Sequence, residues 1–520
     1  MNALLVLFAG HLSNEAFQPL FEGKNSVTLA VEQAKKFPGT GKTVLLAQEG
    51  DFSFLNGVEI EQRDFWTKRS LLEKIAELQE GFDIAYFAFA DCPFPDPVLA
   101  GAIAQRHLRY AAEYSYADGW PYGLAPETLS GGTAAILAKI TGDEDGPVER
   151  DILFSIIQKD INAFDIETEI SPVDLRCHRI NLCADSKRSL LLLKNFIAAC
   201  GERIPAASDV QRIVEQQPQI LRTLPSFYPI QVSGKCPQNC SLCPYPAFKN
   251  KAAGGEFMDS GKFELLLDKI VAFSNDAVID LSLWGELSLH PQKMKLIESV
   301  LSRSGLSLVI ETSGLSWKTE ELEKCAELAQ RAKPGYGFPA PLSWIVSLDT
   351  ADPQRYTELR GEGFAEANEC AKKLLSLFPN DCYVQAVRVR DGEDDTERFY
   401  RHWKEGCPNG DKNIIIQKYD HFCGRLEKRQ ASDISPVIRQ CCWHIMRDMP
   451  VLIDGTVPLC REEFCVLNGQ NSKNDRILGN VFTDSLEDIW KNGERYYSGQ
   501  CEKNYTGICA DCDEYYTFNF

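Results

Sequence analysis

Three closely spaced cysteines constrain this chain more than any other feature of its sequence. Cys236, Cys240 and Cys243 form a C-x3-C-x2-C run, and the apolar and aromatic segment 227–232 before it reads as a strand. The run is therefore expected on a loop at the carboxyl end of a strand. Thiolates at this density suit an iron–sulfur cluster or zinc, and a closed structural site needs one more ligand than the run provides. One position on the metal is left open for another ligand.

Strands and amphipathic helices alternate through the segment that begins with this run. Such alternation predicts a parallel sheet. We expect a partial (β/α)6 barrel, an open relative of the eight-unit TIM barrel, with its chemistry on the loops after the strands. The predicted strands are 227–232, 277–283, 306–310, 343–348, 382–389 and 413–417.

The loops after successive predicted strands carry polar motifs, as this architecture requires. Gly285 and Glu286 follow the second strand, the run 311–314 follows the third, and Ser347 and Asp349 follow the fourth. Gly285 permits a close approach of backbone, and Glu286 offers an acceptor to an ammonium group. Each motif alone is an ordinary loop more often than a site, so the argument rests on their order along the strands.

The cysteine run and these loops resemble the radical SAM superfamily. The resemblance implies that Cys236, Cys240 and Cys243 hold a catalytic [4Fe-4S] cluster whose open iron binds S-adenosylmethionine. It also implies that an electron from the cluster releases a 5′-deoxyadenosyl radical. Leu242 stands where the family usually has an aromatic residue, and a zinc knuckle or unrelated thiols is the alternative. The implied cofactor contacts are Gly285, Glu286, Ser347 and Asp349.

The C-terminal segment is rich in cysteine and resembles the SPASM domain, an auxiliary-cluster module of many radical SAM enzymes. The chain ends soon after Cys512, so we expect one auxiliary [4Fe-4S] cluster, acting in electron transfer, and not two. A zinc ribbon built from the same residues is the alternative. The expected ligands are Cys442, Cys460, Cys509 and Cys512, and the alternates are Cys441, Cys465 and Cys501.

The first 200 residues resemble nucleotidyltransferases that activate sugars, such as cytidylyltransferases for acidic sugars. The resemblance implies a Rossmann-like α/β domain in which Asp91 and Asp185 hold Mg²⁺. The loop 10–15 lacks the Lys or Arg that grips phosphates, and Gln18 stands where a lysine is usual. We therefore favour a domain that binds a nucleotide sugar or a partner over active nucleotidyl transfer, with a purely structural role as the alternative.

These segments predict the domain organisation. We expect a nucleotidyltransferase-like domain over 1–200, a linker over 201–225, the barrel over 226–425 and the SPASM-like domain over 426–520. This order resembles the proteins called spiro-SPASM.

Composition excludes several classes of function. The net charge of −19 argues against a nucleic-acid partner, and the chain has no apolar run long enough for a membrane span. Nineteen cysteines without an export signal indicate reduced thiols and metal ligation in the cytoplasm.

The expected function is that of a radical SAM oxidoreductase or maturase. It would oxidise or cross-link a carbohydrate, a nucleotide sugar or a peptide, with electrons from a donor such as flavodoxin or ferredoxin. The alternatives are a sugar nucleotidyltransferase with a secondary iron–sulfur module and a non-enzymatic scaffold that carries metal.

Overall fold

The computed structural model consists of two compact units, Met1–Thr223 and Leu224–Phe520. It describes residues 1–10, 12–48, 50–142, 145–247, 256–335, 340–432, 435–463 and 476–516. Most of the segment predicted to be a linker lies within the first unit, where the Ala207 N–H donates to the Asp96 carboxylate at 2.6 Å. None of the helices in this described part of the chain has the length and apolar character of a membrane span.

The first unit is a seven-stranded, mostly parallel sheet covered by helices, as expected for a Rossmann-like domain. Its strand β1, Ala3–Ala9, is buried along its whole length and pairs in parallel with β4 and β6. One strand, β8, runs antiparallel to both of its neighbours. The strand order in the sheet is β5-β4-β1-β6-β8-β7-β9. The strands are β1 Ala3–Ala9, β2 Pro19–Phe21, β3 Lys24–Asn25, β4 Thr40–Ala47, β5 Glu59–Gln62, β6 Ile84–Phe89, β7 Tyr114–Asp118, β8 Glu127–Ser130 and β9 Ile166–Ile170. The helices are α1 Ser26–Ala34, α2 Lys68–Leu78, α3 Pro97–Arg109, α4 Thr133–Thr141, α5 Ile152–Ile157, α6 Lys187–Ala199 and α7 Ala207–Gln216.

The second unit contains the predicted partial barrel. Its six strands pair in parallel and in chain order, β10 to β15, so β10 and β15 are the edges of an open sheet. The predicted strands are confirmed, with ends that move by a few residues. The strands are β10 Phe227–Pro229, β11 Ala277–Asp280, β12 Leu306–Thr312, β13 Leu342–Ser347, β14 Cys382–Arg388 and β15 Ile414–Lys418. The helices are α8 Ser260–Ser274, α9 Lys293–Leu301, α10 Thr319–Arg331, α11 Pro353–Arg360, α12 Phe364–Leu377 and α13 Glu393–Gly406.

The tail of the second unit adds a small antiparallel pair and three short helices. The residue pair Asp454-Gly455 is typical of a hairpin turn, and a turn is present there, with Gly455 at a φ of +85° and its N–H donating to the Leu452 carbonyl oxygen at 2.9 Å. Across the turn the Leu452 N–H donates to the Thr456 carbonyl oxygen at 2.9 Å, but the strand after the turn continues its pairing with a later strand and not with residues further before the turn. The reason is that Val451 already bonds to the backbone of Pro229 and Gln231. The elements are β16 Thr456–Pro458, β17 Ile477–Asn480, α14 Trp443–Arg447, α15 Leu486–Asn492 and α16 Glu494–Cys501.

A buried histidine of the first unit makes stability depend on pH. His107 on α3 has its two ring nitrogens bonded to the hydroxyls of Ser115 at 2.8 Å and Ser130 at 2.9 Å, and burial lowers its pKa to about 4. In the unfolded chain the histidine binds a proton near its ordinary pKa of ~6.5. The folded state therefore becomes less stable relative to the unfolded state as the pH falls from about 6.5 toward 4.

We expect His107 to contribute about 2 kcal/mol less to stability at pH 5 than at pH 7.5. The measurement is urea unfolding of the full-length chain and of His107→Gln at both values. The stability difference between the two proteins should shrink at pH 5. A difference that does not change with pH would contradict a neutral buried ring.

Candidate functional site

The three-cysteine run forms a loop that begins beyond β10 and is tied to neighbouring segments. The Ser241 N–H donates to the Leu359 carbonyl oxygen at the end of α11, at 2.7 Å. The Tyr245 hydroxyl donates to the Gly234 carbonyl oxygen at 2.9 Å, which closes the loop from its other side. Protein contacts therefore hold the loop in place, independently of any metal that its thiols bind.

Gly285 is required because the backbone of the cysteine loop lies against its Cα atom. Its φ is +151°, and a Cβ atom would lie 1.9 Å from the carbonyl oxygen of Ser233. The next residue, Glu286, donates its backbone N–H to the Lys235 carbonyl oxygen at 2.8 Å. The loop after β11 and the cysteine loop therefore pack backbone to backbone, which only glycine permits.

The carboxylate of Glu286 is buried, with 4% of the residue exposed, and is held by the turn after β12. Its Oε1 accepts from the Thr312 hydroxyl at 2.6 Å, and its Oε2 accepts from the Ser313 N–H at 2.9 Å. Burial raises the pKa of Glu286, and these hydrogen bonds oppose the rise. A carboxylate oxygen can accept more than one hydrogen bond, so Glu286 retains capacity for a cationic ligand.

Asp349 forms a buried ion pair that also positions the cysteine loop. Its Oδ2 accepts from Arg360 Nη1 at 2.5 Å, and its Oδ1 accepts from the Val387 N–H at 3.0 Å. Arg360 Nε donates to Gln238 Oε1 at 3.1 Å, and the Asn239 N–H donates to the Arg360 carbonyl oxygen at 3.3 Å. Both bonds reach residues between the first two cysteines, so Asp349 acts on the loop through Arg360.

Ser347 lies in a polar group formed by side chains of three neighbouring strands, β12, β13 and β14. Its hydroxyl donates to Glu311 Oε1 at 2.5 Å, and Gln385 Nε2 donates to the same oxygen at 2.9 Å. Gln385 Nε2 also donates to the Ser347 hydroxyl oxygen at 3.2 Å. The Ser347 hydroxyl is thus one member of a network whose other members are an acid and an amide.

One cavity of about 250 Å³ brings all the predicted barrel residues together. Among the described residues that line it, the three cysteines of the run are the only thiols, and three is one fewer than a closed four-iron cluster uses. Carboxylates, two guanidinium groups and aromatic rings are also among the lining groups. The lining includes Cys236, Cys240, Cys243, Gly285, Glu286, Ser347, Asp349, Glu311, Arg360, Gln385 and Phe422.

Burial raises the pKa of the three thiols that line this cavity. It raises the pKa of Cys236 to about 11 and that of Cys243 to about 12. Metal ligation requires thiolates, so loading the site releases protons. The donor set of soft thiols in an enclosed cavity fits an iron–sulfur cluster with an open iron.

The four cysteines predicted as auxiliary ligands lie near one another in the tail. Burial raises the pKa of Cys442, and the neighbouring Cys512 and Cys509 raise it further. Burial also raises the pKa of Cys460, and the neighbouring Cys442 and Cys512 raise it further. Arg476 Nη2 donates to the Cys509 sulfur at 3.0 Å. These thiols come from distant positions in the chain and suit one metal centre.

The alternates behave differently from these four. The sulfur atoms of Cys441 and Cys501 lie 2.7 Å apart and contact each other. Cys465 lies outside the described residues. Cys423, which the sequence left unassigned, forms a thiol–thiol hydrogen bond with Cys512. A fifth thiol, supplied by the loop after β15, therefore lies beside the predicted auxiliary ligands.

Several residues of the cavity were missed or given no role by reasoning from the sequence. Glu311 carried a usable signal, because it is an acidic residue near the carboxyl end of an otherwise apolar strand. Arg360 and Gln385 carried none, because an arginine at a helix end and a glutamine within a strand are ordinary surface features. Phe422 follows the last barrel strand, and nothing in the sequence marks it as a lining residue; the fold places it at the cavity.

Comparisons with known proteins support part of this interpretation. Residues 441–513 match the SPASM family, described as an iron-sulfur cluster-binding domain. An uncharacterised protein of Treponema pallidum is 32% identical over 375 residues, which cover 71% of this chain and 98% of that protein.

Two solved structures show weaker likeness. Streptococcus suis SuiB bound to precursor peptide SuiA aligns at a TM-score of 0.40 and 13% identity, covering 74% of this chain and 87% of that one. A cytidylyltransferase from Leptospira borgpetersenii aligns at a TM-score of 0.35 and 17% identity, covering 42% of this chain and 95% of that one.

The chain combines a six-stranded parallel barrel that carries a three-cysteine loop with a C-terminal segment that matches the SPASM iron–sulfur cluster-binding domain. It belongs to the same family as the Treponema pallidum protein, since the similarity extends over 98% of that protein.

Gly285→Ala tests whether the close backbone contact holds the cysteine loop. The added methyl group would collide with the Ser233 carbonyl, so we expect reconstituted protein to lose most of the barrel cluster's iron and its brown absorbance. Gly361→Ala is the matched control, because Gly361 also has a positive φ, +100°, but open space around its Cα atom. It should cost about 1–3 kcal/mol of backbone strain and keep its iron. Equal iron in both variants would contradict the role of the contact.

Proposed function

We propose that the chain is a radical SAM enzyme, an oxidoreductase or maturase, that reductively cleaves S-adenosylmethionine and oxidises or cross-links its substrate. The observation that carries the proposal is the single cavity lined by three thiols together with Glu286 and Asp349. Cys236, Cys240 and Cys243 would hold a [4Fe-4S] cluster, which would supply the electron for reductive cleavage of bound S-adenosylmethionine. The remaining steps belong to the protein's own residues.

Glu286 is the residue best placed to attract the cofactor's amino group. Its carboxylate is buried and fixed by Thr312 and Ser313. Burial disfavours a carboxylate that has no cation beside it, so a bound ammonium group would recover part of that cost. Ser347 is the proposed polar contact for the ribose, in a network that already orients its hydroxyl.

Asp349 and Arg360 are assigned a positioning role. The ion pair is buried, and Arg360 reaches Gln238 and Asn239 of the cysteine loop. Because a buried pair keeps one geometry, it would hold the loop in the same place before and after the cluster binds.

Aromatic rings wall the cavity against water. Trp284 stacks on Tyr245 with ring centroids 6.2 Å apart, and Phe422 lies 5.9 Å from Trp284. These rings pack beside Cys236 and Cys243. Excluding solvent protects a reactive intermediate from side reactions, which radical chemistry at an unactivated C–H bond requires.

The tail supports a net two-electron oxidation. A second cluster held by Cys442, Cys460, Cys509 and Cys512 would have no open iron and could accept the electron left on the substrate after hydrogen abstraction. The loop that follows β15 reaches both places, since Phe422 lines the cavity and Cys423 contacts Cys512.

The proposed substrate is a carbohydrate or nucleotide sugar, with a peptide as the alternative. The first unit contains a separate cavity of about 430 Å³ lined largely by aromatic side chains, including Tyr116, Trp120 and Phe154. Aromatic faces suit the apolar face of a sugar ring. We further propose a flavodoxin or ferredoxin as electron donor and the cytoplasm as location, with no nucleic-acid partner because of the net charge of −19.

Cleavage of S-adenosylmethionine is expected to depend on the cysteine run. Anaerobically reconstituted protein given dithionite and S-adenosylmethionine should form 5′-deoxyadenosine, and Cys240→Ala should reduce this at least a hundredfold. Cys325→Ala is the matched control, because Cys325 is a cysteine buried within α10. It should keep activity near that of the unmodified protein. Fully loaded protein that forms no 5′-deoxyadenosine with any candidate substrate would contradict the proposal.

Counting the iron bound per chain should distinguish the auxiliary cluster from the catalytic cluster. The unmodified protein should bind about eight irons, as two four-iron clusters require. Cys442→Ala should bind about four and still cleave S-adenosylmethionine, because the barrel cluster does not use this residue. Loss of substrate oxidation alone would support the electron-accepting role. Zinc in the tail of the unmodified protein would contradict it.

A further inference from the structure

Two acids of the first unit meet at one end of its sheet. Asp91 follows β6, and its carbonyl oxygen accepts from the Ala184 N–H at 2.8 Å, which brings Asp185 beside it. Both side chains are buried, with 1% and 8% of the side chain exposed. These are the residues for which the resemblance to nucleotidyltransferases implies Mg²⁺.

The guanidinium of Arg150 lies between these carboxylates. Its Nη1 donates to Asp91 Oδ1 at 2.8 Å and its Nη2 donates to Asp91 Oδ2 at 2.5 Å, a bidentate pair. Its Nη2 also lies 3.7 Å from Asp185 Oδ2. Arg150 therefore bonds both oxygens of one acid and pairs electrostatically with the other.

Packing fixes Arg150 in this place. The guanidinium carbon lies 5.1 Å from the ring centre of Phe89 and 5.8 Å from that of Tyr122. Arg150 lies two residues before the first residue of α5, and Ile152 and Leu153 of that helix are fully buried. The Arg150 side chain is 24% exposed, so the two ring contacts and the ion pair hold the guanidinium at the mouth of the site.

The residues present do not fit a magnesium ion. Mg²⁺ requires oxygen ligands at about 2.0–2.1 Å in octahedral geometry. The guanidinium offers five N–H donors and no acceptor, and its positive charge lies directly against both oxygens of Asp91, where it repels a divalent cation. The cation that neutralises these carboxylates is the Arg150 guanidinium, a side chain of the protein itself.

We propose that Arg150 is a built-in counter-ion that replaces the divalent metal at Asp91 and Asp185, so that the first unit takes its ligand without a metal ion. The neighbouring aromatic cavity includes Arg150 in its wall. Because the proposed site binds no metal ion, its ligand is expected to be a molecule without a metal-bound triphosphate. This inference does not depend on the chemistry proposed for the barrel.

The test is the stoichiometry of Mn²⁺ binding to the full-length protein, measured by equilibrium dialysis. Mn²⁺ prefers oxygen ligands, so it reports on the carboxylates and not on the nearby thiols of Cys92 and Cys183. Arg150→Ala should bind one more Mn²⁺ ion per chain than the unmodified protein. Arg150→Ala combined with Asp185→Asn should lose that ion again.

Arg106→Ala is the matched control. Arg106 also lies between two acids of the first unit, Glu167 at 3.0 Å and Glu169 at 3.4 Å, but its side chain is 39% exposed. Its removal leaves hydrated carboxylates and should change Mn²⁺ binding far less.

Two outcomes would overturn the proposal. Folded Arg150→Ala that binds no more Mn²⁺ than the unmodified protein would show that the arginine does not occupy a metal position. Asp185→Asn in the presence of Arg150 leaves the bidentate pair intact and should not change Mn²⁺ binding. A drop in that variant would show that the site holds metal beside the arginine, and this arm decides the question even if Arg150→Ala does not fold.

Discussion

Parallel pairing of six strands in chain order is the constraint on which the second unit depends. It places the carboxyl ends of all six strands at one edge, so loops far apart in the chain line one cavity. Register matters as much as order, because a one-residue slip would turn a side chain to the other face. Ser347 stands directly opposite Gln385 in the sheet, and their side chains bond to each other and to Glu311.

In both units, donor groups of the protein itself bond to the buried carboxylates, without any ligand. Asp349 is bonded by Arg360, Asp91 is bonded by Arg150, and Glu286 is bonded by neutral donors of one turn. Removing a partner from a buried ion pair costs about 3–5 kcal/mol, so these arrangements are rigid. The difference lies in what remains available. Glu286 keeps acceptor capacity for an incoming cation, whereas the oxygens of Asp91 are both engaged by a cation of the chain itself.

The loop after β15 joins the two thiol groups of the second unit. Phe422 and Cys423 both have a φ of +53°, an uncommon conformation for residues other than glycine, and such strain concentrates at functional sites. Phe422 packs near Trp284 at the cavity, and Cys423 contacts Cys512 in the tail. His421 lies 3.4 Å from Asp513, which ties the loop to the tail a second time. A structural change at one thiol group would therefore reach the other through a short stretch of chain.

The sequence by itself determined the features that depend on local order. Cysteine spacing marked the ligand loop, and the alternation of strands and helices predicted the parallel barrel, because ligand geometry and hydrophobic periodicity act over a few residues. Only the tertiary structure decided what meets across the chain. Arg150 and Asp91 are 59 positions apart, and Cys423 meets Cys512 from outside the matched domain. Val451 bonds to the backbone near β10 and not across its own turn. These contacts follow from how the elements pack, and packing is a property of the whole fold that no local pattern contains.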